Sequence, residues 1–459
     1  MRLLRFSAGK GGFPLLLLTG ALVGGAADLA GASFEGLGDL PGGSVDSRAG
    51  GVSDDGEFVA GTSYGNSGAI AFRWNRATGM LPLGDLPGGD VASFGAEISK
   101  DGSVVGGHSQ SASGTEAFHW RLNSGIVGLG DLVGGGFLSD VRDINGNGEV
   151  MIGIGTSGNG FPEAFRWEGG ALTPLGDLPG GGFASDAYSV SRDGGVIVGG
   201  SRSSNGGEAF RWDVANGMIG LGDLPGGGFE SAAVGVSGDG SVIVGHGLND
   251  AGRVAFRWED GTMVALGELP GGRVEATANS SSESGQVIVG SSHSGIVDPF
   301  GFGFEAFVWD PVGGLQNLKD VLENEGELDL SGWILSFAED VASNGRVIVG
   351  TGINPSGRLE AWRAVMPDRF LDCVSLRIQF GDDAEGSYDN GFFSAQSANV
   401  AFSTLNGQVV KVFTGKGSNA GETQGHGLGG DGRFEPNALA MDFSIPVTSL
   451  QLDFGNDDP

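Results

Sequence analysis

The chain has 459 residues, of which 92 are glycine and 39% are hydrophobic. This hydrophobic content excludes a disordered chain, and collagen is excluded because the glycines do not recur at every third position. With 56 acidic residues against 25 Lys and Arg, the formal net charge is −31, so neither nucleic acid nor an anionic lipid surface is expected as a partner.

The N-terminus has the parts of an export signal. Arg2, Arg5 and Lys10 precede an apolar stretch that ends at Ala27, and Ala-Gly-Ala at 30–32 matches a cleavage site. We predict a signal peptide over 1–32 and an extracellular or cell-surface mature chain. The alternative, a short membrane anchor, fits less well because glycines interrupt the apolar run and it is shorter than a membrane span. The sequence has no later transmembrane segment.

One sequence unit recurs along most of the chain, most clearly as Leu-Gly-Asp-Leu-Pro-Gly-Gly or a close variant. Its acidic position recurs at spacings of 46, 46, 46, 46 and 45 residues, which indicates one structural unit per period. These acidic residues are Asp39, Asp85, Asp131, Asp177, Asp223 and Glu268.

Each period holds segments typical of short strands. A polar-Gly pair such as Asp55-Gly56 fits a tight hairpin turn, and the β-branched run that follows, such as Val-Ile-Val-Gly at 196–199, fits a buried strand. The third segment is Glu-Ala-Phe-Arg-Trp at 163–167 and 208–212, with relatives elsewhere. Alternation places its aromatic residues on one face, where they can pack against a neighbouring unit. The aromatic residues predicted to be structural are Phe72, Trp74, Phe118, Trp120, Phe165, Trp167, Phe210, Trp212, Phe256, Trp258, Phe307, Trp309 and Trp362.

The fourth segment is Leu-Gly-Asp-Leu itself, which we expect to form the last strand of each unit. Four short strands in about 46 residues match one blade of a β-propeller. The aromatic segment occurs seven times, but no Leu-Gly-Asp-Leu follows Trp362, whereas one copy at 37–40 precedes the first unit. The sequence therefore predicts an all-β fold, in which a propeller of about seven four-stranded blades over 33–367 is closed by an N-terminal strand.

Two units depart from the regular period. Unit six has extra residues around 296–304, rich in Gly and Phe, and unit seven has the segment 317–326. In that segment Leu318, Val321 and Leu322 have helical spacing, which predicts a short helix. Insertions in a propeller often shape a binding site, although tolerated loops explain them equally well.

These repeated residues resemble the extracellular HAF-repeat family, named for a His-Ala-Phe motif that stands here as Glu-Ala-Phe. The stretch Ser-Gly-Trp at 331–333, followed by 341–350 and 358–362, resembles the usual end of such proteins, and the resemblance covers 37–367. It implies a bacterial secreted or surface protein and no particular activity. The change from His to Glu removes any argument for a ring of metal-binding imidazoles.

The remaining segment, 368–459, lacks the repeat. Alternating stretches such as 374–380 and 450–454 predict a smaller, antiparallel β-sandwich-like domain. The chain ends directly after the last of these stretches, which suggests that the domain is truncated. The lone cysteine, Cys373, allows no internal disulfide and is given no catalytic role.

Three motifs carry weak chemical signals. Gly-Thr-Ser-Tyr-Gly at 61–65 has the G-x-S-x-G pattern of hydrolases, but no helix is predicted after it. The stretch 143–148 matches half of a calcium loop, but Ile154 stands where the loop needs Glu, so a polar-Gly turn explains it better. The five histidines lack zinc-site spacing.

The six recurrent acidic residues are the candidate binding site. They could ring one face of the propeller and attract cations or polyols, or each could simply cap its own turn. No cofactor is predicted, and calcium is the one candidate.

The leading functional hypothesis is a secreted or surface binding module that recognises a polysaccharide or protein through the propeller face. The alternatives are a glycan-active enzyme, which needs paired carboxylates in one central pocket, and a purely structural envelope protein. No catalytic residue is predicted, because an active site needs one unit to differ in its polar residues. A lone carboxylate pair in the channel would favour the enzyme, and exposed aromatic residues on a face would favour binding.

Overall fold

The computed structural model describes residues 31–42, 46–66, 68–367 and 370, together with four C-terminal strands. The chain forms two compact units, of which one is Asp28–Asp372 and the other combines Met1–Ala27 with Cys373–Pro459. The predicted signal peptide lies outside the described residues except for its last two positions. Within the described ranges, no helix is long and apolar enough to cross a membrane.

The larger unit is a β-propeller of seven four-stranded blades, which confirms the predicted fold. Strands are numbered in chain order, and the first strand of each of blades 1 to 7 is the innermost. Blade 1 contains β2 (Ser47–Val52), β3 (Phe58–Gly65), β4 (Gly68–Asn75) and β5 (Gly79–Pro82); blade 2 contains β6 (Gly88–Ile98), β7 (Val104–Ser111), β8 (Gly114–Arg121) and β9 (Gly125–Gly130); blade 3 contains β10 (Gly134–Ile144), β11 (Val150–Ser157), β12 (Pro162–Glu168) and β13 (Ala171–Pro174).

The other four blades repeat this arrangement. Blade 4 contains β14 (Gly180–Val190), β15 (Val196–Ser203), β16 (Gly207–Asp213) and β17 (Gly217–Gly220); blade 5 contains β18 (Ser231–Val236), β19 (Val242–Asn249), β20 (Gly252–Glu259) and β21 (Thr262–Gly267); blade 6 contains β22 (Ala276–Ser281), β23 (Ile288–His293), β24 (Phe304–Asp310) and β25 (Gly314–Asn317); blade 7 contains β26 (Ile334–Val341), β27 (Val347–Ile353), β28 (Leu359–Val365) and, as its outer strand, β1 (Ser33–Gly36). All pairings within a blade are antiparallel, and a parallel bridge between Leu138 and Thr115 joins blades 2 and 3.

An N-terminal strand closes the ring, as predicted, but it lies four residues earlier than expected. β1 pairs with β28 from Ser33 opposite Val365 to Gly36 opposite Trp362. In blade 7 and in most others, the outer strand ends before Leu-Gly-Asp-Leu, which forms the connection to the next blade. The predicted fourth strand was therefore placed too late, although its first residue continues the pairing, since the Leu37 amide donates to the Ala361 carbonyl over 2.8 Å. Leu37 and Leu40 are both buried, and Leu37 packs with residues of blades 1 and 7.

The hydrophobic core lies between successive blades. The phenylalanine of the third strand is fully buried in blades 1 to 6, and Trp362 takes its place in blade 7. At the junction of blades 1 and 2, Phe118 and Trp120 pack with Ala71 of the preceding blade and with Leu83 and Leu86 of the connection. The outer tryptophans of blades 3 to 6 are only partly buried.

A serine at the start of the inner strand ties each of blades 1 to 5 to the blade before it. In blade 4, Ser185 Oγ donates to the Gly176 carbonyl over 2.6 Å and accepts from the Ala164 amide over 3.0 Å. These two bonds satisfy backbone groups that packing between blades removes from water. Equivalent pairs of bonds involve Ser47, Ser93, Ser139 and Ser231.

The two departures from the repeat form the predicted helix and a long loop. Helix α1 (Leu318–Asn324) begins at Asn317, whose side chain accepts from the Lys319 and Asp320 amides, and it buries Leu318, Val321 and Leu322. The loop between β23 and β24 is held by Asp298, whose carboxylate accepts from the Phe300 and Gly303 amides. The loop joins the second strand of blade 6 to the third, and α1 follows the outer strand, so both lie on the same face of the propeller.

The C-terminal unit contributes four described strands, β29 (Leu376–Gln379), β30 (Lys411–Thr414), β31 (Leu439–Asp442) and β32 (Leu450–Asp453). β30 pairs with β31 antiparallel, whereas β29 pairs with β32 in parallel. The second pairing differs from the fully antiparallel sandwich that the alternating pattern predicts. The rest of that prediction lies outside the described residues.

Candidate binding face and central channel

The blade topology gives the propeller two distinct faces. On one, which we call the upper face, the outer strand connects to the next blade and the second strand connects to the third. On the other, the lower face, lie the polar-Gly hairpin turns, such as Ser53 to Gly56, where the Gly56 amide donates to the Ser53 carbonyl over 2.9 Å. The insertions in blades 6 and 7 both lie on the upper face, so this face has most of the variation in loop length between blades.

The six predicted acidic residues lie in the upper-face connections and are half-buried, except for the exposed Glu268. The carboxylate of Asp131 accepts from the Leu132 and Leu138 amides over 2.7 and 2.9 Å. Asp223 accepts from the Leu224 and Glu230 amides in the same way, and Asp39 accepts from Ser63 Oγ. Asp131 and Asp223 thus hold the connections in which they lie, and the binding role of the six acidic residues stays a prediction.

A β-bulge in every inner strand builds the lining of the central channel. The register between the inner and second strands shifts at the same place in all seven blades, between Val141 and Asp143 in blade 3, for example. A bulge redirects side chains, and here it aims two successive residues of each blade at the channel. The residue on the C-terminal side of the bulge differs from blade to blade, as Gly51, Glu97, Asp143, Ser189, Gly235, Ser280 and Asp340.

The channel encloses a cavity of about 350 Å³ that is lined by all seven blades, with charged residues from blades 2, 3, 4, 6 and 7. Asp340 accepts from Lys100 Nζ over 3.3 Å, from Ser280 Oγ over 2.6 Å and from the Val52 amide over 2.9 Å. Burial lowers the pKa of Lys100, but the carboxylates of Asp340, Glu97 and Asp143 outweigh it and raise the pKa well above its usual value. Lys100 is therefore the internal counterion of the channel carboxylates.

Burial raises the pKa of three carboxyl groups of the channel. Burial raises the pKa of Asp143 to about 6 and that of Glu339 to about 7. Burial, reinforced by the nearby Asp340 carboxylate, raises the pKa of Glu97 well above its usual range. Blade 1 has glycine at this level because a Cβ on Gly51 would lie 1.4 Å from Glu97 Oε1. The glycine makes room for the carboxylate.

Arg192 crosses the lower end of the channel. Its guanidinium lies 2.5 Å from Asp54 Oδ2, 2.9 Å from Glu283 Oε2 and 2.7 Å from Ser343 Oγ. These partners belong to blades 1, 6 and 7, on the opposite side of the ring from blade 4. The side chain therefore spans the channel at the lower face and leaves the upper face as the direct approach to the cavity.

The upper mouth of the channel has an aromatic half and a polar half. Phe94 of blade 2 stacks on His108 with 4.7 Å between the ring centroids. The ring of Phe337 in blade 7 contacts those of Phe302 and Phe304 near the long loop, with centroid distances of 5.8 and 5.9 Å. In blades 3 and 4 the residues equivalent to Phe94 are acidic. They are Asp140, which lies 2.8 Å from His108 Nδ1, and Asp186.

A pocket of about 470 Å³ opens on the upper face beside this polar half, between blades 3 and 5. Its walls include Asp186, Arg202, Glu208, Glu230 and His246. Burial raises the pKa of Asp186 to about 6 and lowers that of His246 to about 4. The Asp186 Oδ1 and His246 Nδ1 atoms are buried with no hydrogen-bond partner among the described residues.

Two of the three weak chemical motifs have structural roles. Ser63 is fully buried on β3 and accepts from the Leu40 amide over 3.1 Å, so it cannot act as a surface nucleophile. Asn145 caps its own turn by accepting from the Glu149 and Val150 amides. Among the described residues, no group of three or more His, Cys, Asp or Glu is placed to hold a metal ion.

Sequence reasoning missed the channel residues because they occupy non-repeating positions. Lys100, Arg192 and Glu283 all stand two residues before the turn glycine, at 102, 194 and 285. The same position holds Gly in blades 3 and 5. Comparing the repeats column by column, and searching for polar residues where the units disagree, would have found them.

No family model matches the chain, and no curated protein matches it. Among solved structures, a TolB from Acinetobacter baumannii is similar at 15% identity over 48% of this chain and 53% of that protein, with a TM-score of 0.36. An oligogalacturonate lyase from Vibrio parahaemolyticus is similar at 12% identity, 74% and 98% coverage and a TM-score of 0.44. The β-propeller domain of the Trilobed protease from Pyrococcus furiosus is similar at 11% identity, 73% and 93% coverage and a TM-score of 0.45. The chain thus spans about half the length of the TolB, and at these identities and TM-scores none of the similarities bears on ligand or activity.

Proposed function

We propose that this protein is an exported binding module that recognises a polysaccharide through the upper face of its propeller. The observation that carries the proposal is the combination of aromatic and hydrogen-bonding side chains around one mouth and its adjoining pocket. A sugar ring has apolar C–H faces that pack on aromatic rings and a rim of hydroxyl groups that bond to carboxylates and imidazoles. Phe161, 55% exposed and next to the pocket residue Pro162, adds an aromatic surface at the pocket rim.

The channel carboxylates favour binding over hydrolysis. A retaining or inverting glycosidase needs a pair of carboxyl groups that faces the scissile bond. Here Asp340 is occupied by Lys100, Ser280 and a backbone amide, and Asp143 accepts from Ser189 Oγ and the Val190 amide. Asp340 and Asp143 are thus engaged in bonds that hold neighbouring blades together.

Export is the second part of the proposal. The basic and apolar N-terminal segment and the resemblance to the HAF-repeat family support it. Cleavage after Ala32 would leave β1 intact, because the closing strand begins at Ser33. N-terminal sequencing of the protein recovered from outside the cytoplasm tests this directly, and an uncleaved N-terminus would contradict it.

The binding test is retention of the mature chain on immobilised polysaccharides, with calcium and then with chelator. We expect retention by at least one polysaccharide, and we expect Phe161→Ala to weaken it. Val214→Ala is the matched control, since Val214 is 81% exposed on the lower face. Failure of every polysaccharide to retain the protein, or equal weakening by both substitutions, would contradict upper-face binding.

A further inference from the structure

The pocket between blades 3 and 5 exists because two positions that hold large side chains in other blades hold glycine and alanine here. At the boundary of blades 2 and 3, His108 and Asp140 fill the equivalent space and pair across it at 2.8 Å. At the boundary of blades 4 and 5, the equivalent residues are Gly200 and Ala232. A Cβ on Gly200 would lie 3.8 Å from the Ala232 Cβ, so the two positions face each other. The cavity is thus a local departure from an otherwise repeated packing.

The walls of this pocket favour a positively charged guest. The carboxylates of Asp186, Glu208 and Glu230 line the pocket together with one guanidinium, that of Arg202, and Glu230 also pairs with Arg253 over 3.4 Å. The His246 imidazole is neutral at physiological pH because burial lowers its pKa to about 4. The formal net charge of −31 also repels anionic polymers over a longer range.

Asp186 has one carboxylate oxygen with unused hydrogen-bonding capacity, although the Tyr188 hydroxyl donates to its carboxylate. Its Oδ2 lies 3.8 Å from the nearest guanidinium nitrogen of Arg142, beyond hydrogen-bond distance. Its Oδ1 has no partner among the described residues. A buried carboxylate oxygen without a donor is unfavourable, so a donor brought by a ligand would stabilise the complex.

We infer that this pocket binds an amino-sugar unit with a free amine, within a polysaccharide bound at the upper face. The inference deepens the proposed function and depends on it. A volume of about 470 Å³ lies in the range of roughly 300–1,000 Å³ that is usual for small-molecule sites. The ammonium group donates to the carboxylates, and the aromatic rim at Phe161 packs against the adjoining sugar.

The test compares three probes of similar length by titration calorimetry on the mature chain. They are a β-1,4-linked glucosamine hexamer, its fully N-acetylated counterpart and a galacturonate hexamer. We expect the free-amine hexamer to bind at least about tenfold more tightly than the acetylated one, since the ammonium adds a charge-assisted hydrogen bond. The galacturonate hexamer should bind most weakly.

Two variants locate the selectivity. Asp186→Asn should remove the preference for the amine and leave binding of the acetylated hexamer within about twofold. Asp260→Asn is its control, because Asp260 is an exposed lower-face residue with positive φ, which asparagine tolerates. Ala232→Phe, which introduces the residue present at the equivalent positions in blades 2 and 7, should fill the pocket and abolish binding of both hexamers.

The outcomes separate the two proposals. Equal affinity for the two glucosamine-based hexamers, or an amine preference that survives Asp186→Asn, would overturn the inference and leave polysaccharide binding intact. Tightest binding of the galacturonate hexamer would overturn it as well. If no polysaccharide is retained in the panel described above, the proposed function itself fails.

Discussion

The third strand and the inner strand differ in how closely they repeat from blade to blade. Third strands are almost the same in every blade, with an alanine and a phenylalanine that are fully buried in blades 1 to 6. Inner strands share their bulge, and those of blades 1 to 5 share a serine, but the channel residues beyond the bulge are Gly, Ser, Asp or Glu. Repetition therefore builds the ring, whereas the differences between blades build the channel and the upper-face pocket. Substitutions in the two regions should have different consequences.

Removal of the closing strand should have the largest effect on the ring. A chain that begins at Leu37 lacks β1, which leaves the edge of β28 unpaired and exposes the closure of blade 7. We expect loss of cooperative folding, or a fall of more than about 10 °C in the melting temperature relative to a chain that begins at Ser33. Equal melting temperatures would show that closure does not stabilise the ring.

Phe210→Ala and Phe161→Ala should separate stability from binding. Phe210 is fully buried on the third strand of blade 4, so its truncation should lower the free energy of unfolding by roughly 3–5 kcal/mol. Phe161 is largely exposed, and its truncation should change the stability by less than about 0.5 kcal/mol. Urea denaturation of both variants measures this, and similar losses would contradict the division between the two regions.

Arg192→Met tests the charge cluster at the lower end of the channel. The change leaves Asp54 and Glu283 without their cation, and because the cluster is partly accessible the loss should be roughly 2–3 kcal/mol. Arg211→Met is the matched control, as Arg211 pairs with the neighbouring Asp213 of the same blade and, within the part of the chain that the structure describes, forms no ion pair across the channel. A loss at Arg192 no greater than at Arg211 would argue against a cross-channel link.

Glu339→Gln should give the smallest effect, a change in the pH dependence of stability. Burial raises the pKa of Glu339 to about 7 in the folded protein, whereas the unfolded value is near 4.5. The folded state thus binds more protons between these values, so its stability falls as the pH rises from about 4.5 to 7. Glutamine does not titrate, and the difference in stability between pH 5 and pH 8 should shrink by roughly 1–2 kcal/mol. An unchanged difference would contradict the protonation of Glu339.

The ring could be predicted from the sequence because the residues that pack between blades recur in each unit. The constant spacing of Asp39 to Glu268 and the recurrent Phe-x-Trp pattern specify one blade per period, and helical spacing of Leu318 and Val321 specified α1. The fourth strand was misplaced because Leu-Gly-Asp-Leu recurs in the units as the connection between blades. Its leucines would be buried whether the segment formed a strand or a connection, so their pattern does not distinguish the two.

The candidate site could not be predicted in the same way. Lys100 and Arg192 come together with carboxylates from other blades only once the ring has closed, over sequence separations of 240 and 91 residues for Asp340 and Glu283. The pocket is even harder to predict from the sequence, because it results from the small size of Gly200 and Ala232. One small residue among 92 glycines does not indicate a cavity in the sequence.

Hydrogen–deuterium exchange with a retained polysaccharide tests the central claim, that ligand binds at the upper face. We expect slower amide exchange in the upper-face segments 154–162, 200–208 and 228–232, and no change in the lower-face turns around Gly56 and Gly240. Protection confined to the lower-face turns or the outer strands would contradict the account.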